Sequence, residues 1–179
     1  MTKWNYSISK MNLEYREIAK LFNIRERALK LYYSELNPLY SQIFVGYSQI
    51  ELDEELKYQL NEIEKDACLN LLAAIEAAFR VDYAIRIKEK DNNILSKKFR
   101  LLFNIYEYQM PLEDVLLEEW KKYISRKSNI ISILKSAFQY RHWLAHGRYW
   151  ILKKKNRKYD FYELYNLALQ IEGLGLKKN

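Results

Sequence analysis

Glycine and proline are scarce, at four and two residues in a chain of 179. Sandwiches and barrels of β-strands need frequent tight turns that draw on both residues, so the shortage counts against them and favours long helices. Cys68 is the single cysteine. It rules out an intramolecular disulfide and any cluster of thiolate ligands, and its apolar helical surroundings predict a small core residue. No run of about eighteen apolar residues occurs, which argues against a membrane span. The opening MTKWNYSISKMNLEYREIAK lacks the apolar run followed by small residues that marks a secretory signal. These absences lead us to expect a cytoplasmic protein with no membrane attachment.

What is present has the balance of a folded chain, with 49% apolar and 30% charged residues. The length suits one domain with a real core. Lys and Arg number 30 against 23 Asp and Glu, a net charge of +7. An excess of that sign attracts phosphate chains before any specific contact forms. Sixteen tyrosines offer broad apolar contact with one polar tip, which suits a helix interface or base stacking equally well.

Apolar spacing predicts an all-α bundle of about five to six helices. A first helix is expected from Asn12, as N-cap, to about Ser34, ended by Asn37-Pro38, with Val45-Gly46 in an irregular connection. A second and longest helix is expected from Asp53, as cap, fading in the charged residues 88–93. Its segment LNLLAAIEAAF is apolar almost all round and should be central. Further helices are expected at 94–109, at 111–124 after Met110, from Ser128 to Gly147, and at 161–172, where Asp160 and Glu163 form a capping box.

Only two histidines occur, His142 and His146, and both lie in the string RHWLAH beside Arg141. An Arg and a His supply what phosphodiester cleavage needs without a metal. Imidazole titrates near neutrality and can move protons to or from the 2′- or 5′-oxygen. Guanidinium stays charged and can hold two phosphate oxygens in the transition state. On an ideal helix Arg141 and His146 point about 140° apart, so one regular helix does not set them side by side. Two other readings stay open. Arg and His at a helix end can simply satisfy carbonyls. His142 and His146 also have the i, i+4 spacing of two zinc ligands, but the Glu of HExxH is missing and no third ligand is marked.

The string from Tyr140 to Gly147, YRHWLAHG, resembles the R-x4–6-H motif of HEPN domains (higher eukaryotes and prokaryotes nucleotide-binding). Arg141 matches the motif Arg, His142 the polar position that follows it, and His146 the motif His. The resemblance implies an up-and-down helical bundle over residues 1–179 as one domain, with 1–50 as an N-terminal elaboration. It implies a metal-independent, cofactor-free endoribonuclease in which Arg141 and His146 are catalytic. The RNA 2′-hydroxyl would attack the adjacent phosphate, leaving 2′,3′-cyclic phosphate and 5′-hydroxyl ends. It also implies a homodimer with two motifs facing one cleft, and a role as a toxin, phage-defence effector or RNA-processing factor. Some members lack activity, so the alternative is a non-catalytic helical module that binds nucleotide or a protein partner, such as a nucleotidyltransferase antitoxin.

Three supporting residues accompany the motif. His142 shapes or shares the site. Glu76, on a face with Leu72, Phe79 and Tyr83, should be partly buried and needs a partner. Arg80, four residues on, is its local partner, and Arg141 the long-range one. Asp82 and Arg86 form a second such pair with less to recommend it. Arg148, Tyr149, Lys153, Lys154, Lys155, Arg157 and Lys158 make a basic, aromatic run beside the motif, suited to RNA binding or to a solvated loop. If it binds RNA, replacing Lys153, Lys154 and Lys155 with Gln will weaken binding and flatten its dependence on salt, because fewer counterions are released. Filter binding across a salt series measures that slope, and an unchanged slope returns the run to a solvated loop.

Overall fold

Ser48 begins the longest element of the molecule. In the computed structural model, which describes residues 11, 13–152 and 157–178, its hydroxyl accepts from the Glu51 N–H. Glu51 in turn accepts from the Ser48 N–H at 2.8 Å, which closes a capping box. The helix that follows, α3, runs over Gln49–Glu89 and ends at Lys90 in the left-handed region. The expected cap, Asp53, instead lies inside the helix and accepts from the Gln49 side chain. The signature Ser48-x-x-Glu51 outranks a lone Asp because it satisfies two end groups at once.

The described residues contain no strand and seven α-helices. Besides α3 these are α1 (Tyr15–Tyr32), α2 (Tyr40–Ile43), α4 (Ile94–Tyr106), α5 (Leu117–Tyr123), α6 (Ser128–Ala145) and α7 (Phe161–Glu172). The first helix starts later than Asn12, which lies outside the described residues, and Glu14 takes the N-cap position with no side-chain bond. The one-turn α2 was not expected from spacing, being too short to show a period. The predicted fourth helix divides. Leu112–Leu116 is a π-turn in which Leu116 N–H donates to Pro111 O, and α5 follows it. The capping box of Asp160 and Glu163 forms as its sequence predicts.

Helices α1, α4, α6 and α7 all pack on α3. Around it α1, α7, α6, α5 and α4 follow in that order as an open ring, each touching the next. One core results. Leu71, Leu72, Ile75 and Phe79 of α3 meet Phe99 of α4, Trp120 of α5, Leu134 of α6 and Phe161 of α7, all fully buried. Helix α1 adds Ile18 and Phe22 to the same cluster, so this part of residues 1–50 is built into the bundle. Cys68 is buried as expected, and burial pushes its thiol up to about 12. A thiol held protonated there is no nucleophile. Among the described residues no helix is long and apolar enough to cross a membrane.

From Val81 to Arg86 every residue of α3 is buried, including a charged pair. Arg86 Nε donates to both oxygens of Asp82 at 2.8 and 2.9 Å. Asp82 also accepts from Trp120 Nε1 at 3.2 Å and from the Lys177 N–H at 2.8 Å. The Arg86 guanidinium donates to Ser96 Oγ and to Gly175 O, and lies 5.2 Å from the Trp120 ring. The pair given less weight in the sequence is therefore the one in the core. Removing one member strands the other charge away from water. Arg86→Met is expected to cost about 3–5 kcal/mol in urea unfolding, and the double change Asp82→Leu/Arg86→Met much less.

Candidate functional site

Helix α6 distributes the RHWLAH string over two faces. Leu134, Ala137, Arg141 and Leu144 recur at helical spacing on the inner face, and three of the four are buried. Arg141 follows that stripe toward α3. Its Nη2 lies 2.9 Å from Glu76 Oε2, and Glu76 Oε1 accepts from Arg80 Nε at 2.8 Å. Glu76 thus joins both candidate partners, the local and the long-range one, at 16% side-chain exposure. The contact with Arg141 is a charge pairing without hydrogen-bond alignment. Glu76 Oε2 and Arg141 Nε are both buried with no hydrogen-bond partner among the described residues. Arg80 also donates to Met110 O at 3.4 Å, which ties the pair to the chain before α5.

His142 and His146 occupy the outer face, both exposed, with ring centroids 4.2 Å apart. Trp150 folds back over them at 5.7 and 6.5 Å. Its carbonyl accepts from Trp143 Nε1 at 2.7 Å, which fixes the return of the chain. Farther along the same face, Lys135 pairs with Glu118 and Gln139 donates to Glu113. No hydrogen bond, ion pair or ring contact among the described residues joins Arg141 to His146. The divergence expected of a regular helix is what this chain shows, since α6 stays regular through Ala145.

The stop after His146 follows from backbone chemistry. Gly147 has φ +78° and Arg148 φ +59°, and the Arg148 N–H donates to Trp143 O at 3.1 Å. That six-residue loop closes the helix in the manner of a Schellman turn. It also aims Arg148 at α3, where Nη1 lies 2.8 Å from both Glu62 oxygens. Lys65 holds the same carboxylate at 2.7 Å, and these partners lower the Glu62 pKa.

The described residues of the basic run do not present one open face. Arg148 is ion-paired with Glu62. Arg157 lies over the Tyr159 ring at 4.4 Å and pairs with Glu163 at 3.1 Å. Lys158 Nζ sits 5.5 Å from the Trp143 ring, whose other neighbour, Tyr140, stacks on it at 5.8 Å. Tyr149 is 84% exposed and meets Trp150 edge-on. Lys153, Lys154 and Lys155 lie outside the described residues. Among those that are described, no group of three or more His, Cys, Asp and Glu side chains is arranged to hold a metal ion, so the histidine pair has no further ligand there. Sequence reasoning missed Glu62, whose link to Arg148 spans 86 residues and leaves no local spacing signal.

No family model, no curated protein and no solved structure matches the chain. Its site is therefore argued from its own residues. One of them tests the local geometry directly. A Cβ on Gly147 would meet nothing within 4 Å, so the cost of Gly147→Ala is confined to the left-handed backbone. We expect a loss of about 1–2 kcal/mol in unfolding free energy with helical content kept, read by urea titration and circular dichroism.

Proposed function

We propose that the chain is a metal-independent endoribonuclease of the HEPN type. The observation that carries this reading is the grouping, at one end of α6, of two exposed imidazoles and a partly exposed arginine. The Arg141 side chain is 36% exposed, so its guanidinium can meet an incoming phosphate oxygen. Glu76 restrains the Arg141 side chain from below. His146 would move a proton at the 2′- or 5′-oxygen, and His142, 4.2 Å away ring to ring, would share or position it.

Because Arg141 and His146 take different faces of α6, the reading includes a symmetric dimer that places two motifs in one cleft. The exposed rings of Tyr149 and the half-buried Trp150 are the amphipathic kind enriched where proteins meet. RNA would be the substrate and the basic run its binding surface. An antitoxin is a candidate partner for such an enzyme, and the cytoplasm its expected compartment.

A second reading has an observation of its own. Glu76 already offsets the Arg141 charge and Glu62 that of Arg148. An arginine pre-paired in this way also suits a non-catalytic helical module that binds nucleotide or a protein partner.

Incubation of the protein with RNA in the presence of chelator separates the two. The ribonuclease reading expects cleavage that leaves 2′,3′-cyclic phosphate ends. Arg141→Ala and His146→Ala are each expected to lower the rate by at least about 100-fold, within the range typical of general acid–base and charge-stabilising groups, with helical content unchanged. Mixing the two variants adds a test of shared sites. Recovery of activity in the mixture means that Arg141 of one chain serves His146 of another. No cleavage under any condition leaves the binding module.

A further inference from the structure

The N-terminal part of α3 and the end of α1 project beyond the ring of helices, and with α2 they enclose a cavity of about 610 Å³ open to solvent. That volume lies within the range of small-ligand sites. Its walls are aromatic. Tyr33 and Phe44 stack at 5.2 Å with 24° between their planes. Tyr32 stands edge-on to Phe44 at 5.5 Å and 80°, and Tyr47 does so at 6.1 Å and 84°. Rings that meet near right angles form the sides of a box. The corner is held by Asn37, whose side chain donates to Tyr32 O at the end of α1 and accepts from the Leu39 N–H.

The charge around this box runs against that of the molecule. The chain carries +7 overall, yet among the described residues the cavity is lined by Glu51, Glu54 and Glu55 and by no Lys or Arg. Two of these glutamates have hydrogen bonds but no counter-charge among the described residues. Glu51 accepts from Ser48, which lowers its pKa and keeps it ionised. Glu55 accepts from the Gln59 amide at 2.8 Å. Glu54 has no partner among the described residues. Burial and the nearby Glu55 raise the Tyr33 pKa, so its ring stays a neutral phenol. Tyr32 and Tyr47 remain 43% and 59% exposed, whereas Phe44 meets the rings of Tyr32, Tyr33, Tyr40 and Tyr47.

Aromatic faces attract cations through the ring quadrupole, and carboxylates supply the balancing charge. A bare ammonium is strongly hydrated and loses that water on entry, whereas N-methyl groups shed it and match apolar walls. We infer that the cavity between α1, α2 and α3 binds a methylated ammonium group, as a small quaternary amine or at the tip of a methylated lysine. This site is separate from the α6 motif, and neither proposal depends on the other.

Choline and its neutral carbon isostere, 3,3-dimethyl-1-butanol, test the inference on the full chain by proton nuclear magnetic resonance. Choline N-methyl protons are expected to shift upfield saturably as they enter the ring currents. Affinity for choline should exceed that for the isostere about tenfold, equivalent to ~1.4 kcal/mol. Phe44→Leu removes a wall, and Glu54→Gln with Glu55→Gln removes charge. Each change should weaken choline binding at least about threefold. The glutamine pair alters exposed positions only, so it decides the question should Phe44→Leu fail to fold. A trimethyllysine peptide run in parallel assigns the source, tighter binding than choline pointing to a protein tail and equal binding to a free amine. Absence of a saturable shift, equal binding of the isostere, or an unaffected glutamine variant overturns the proposal.

Discussion

Asp82 and Arg86 are charged side chains held away from water, and the arrangement around them follows from the need to satisfy both. Taking such ions out of water costs several kcal/mol each, which only good geometry and further hydrogen bonds offset. Trp120 of α5, Ser96 of α4 and the backbone at Gly175 and Lys177 supply those bonds. The pair therefore ties α4, α5 and the chain after α7 to the C-terminal turns of α3. The remainder of α3 is held by apolar contact together with the ion pairs of Glu62 and Glu76. Its full length of 41 residues spans ~60 Å, more than the ring covers, and its first third stays largely exposed.

The ends of the elements were legible wherever a local signature existed. Asp160 with Glu163 announced α7, and Gly147 announced the end of α6. Ser48 with Glu51 carried the same signature, but an isolated acidic residue, Asp53, drew the start of α3 five residues too far along. Short and irregular pieces left no period to read. The π-turn at Leu112–Leu116 packs against α3 and α5, and the one-turn α2 carries no buried residue.

The candidate site was legible at its motif and opaque beyond it. Arg141, His142 and His146 declare themselves because they are chemically distinctive and adjacent. The Glu76–Arg80 and Asp82–Arg86 pairs have identical spacing in the sequence, yet the first is partly exposed and the second sealed. Six residues, or well over one turn of α3, separate them, and what lies over each position comes from segments far away in the chain. Glu62 reaching Arg148 belongs to the same class of fact. The tyrosines show the converse. Their number suggested stacking surfaces, and spacing could not say that a set of them would gather between α1 and α2 with Phe44.

The bonds that link Asp82 to Lys177 and Arg86 to Gly175 join residues 95 and 89 positions apart. On a ribosome adding about 5–20 residues each second, that separation is a wait of roughly 5–20 s. Through that interval the C-terminal turns of α3 have emerged with their acceptors and donors incompletely met, while the helices of the ring arrive one after another. Native closure of the bundle thus waits for residues 175 and 177, and a nascent chain stalled before residue 175 would hold a charged pair that water has not been fully replaced around.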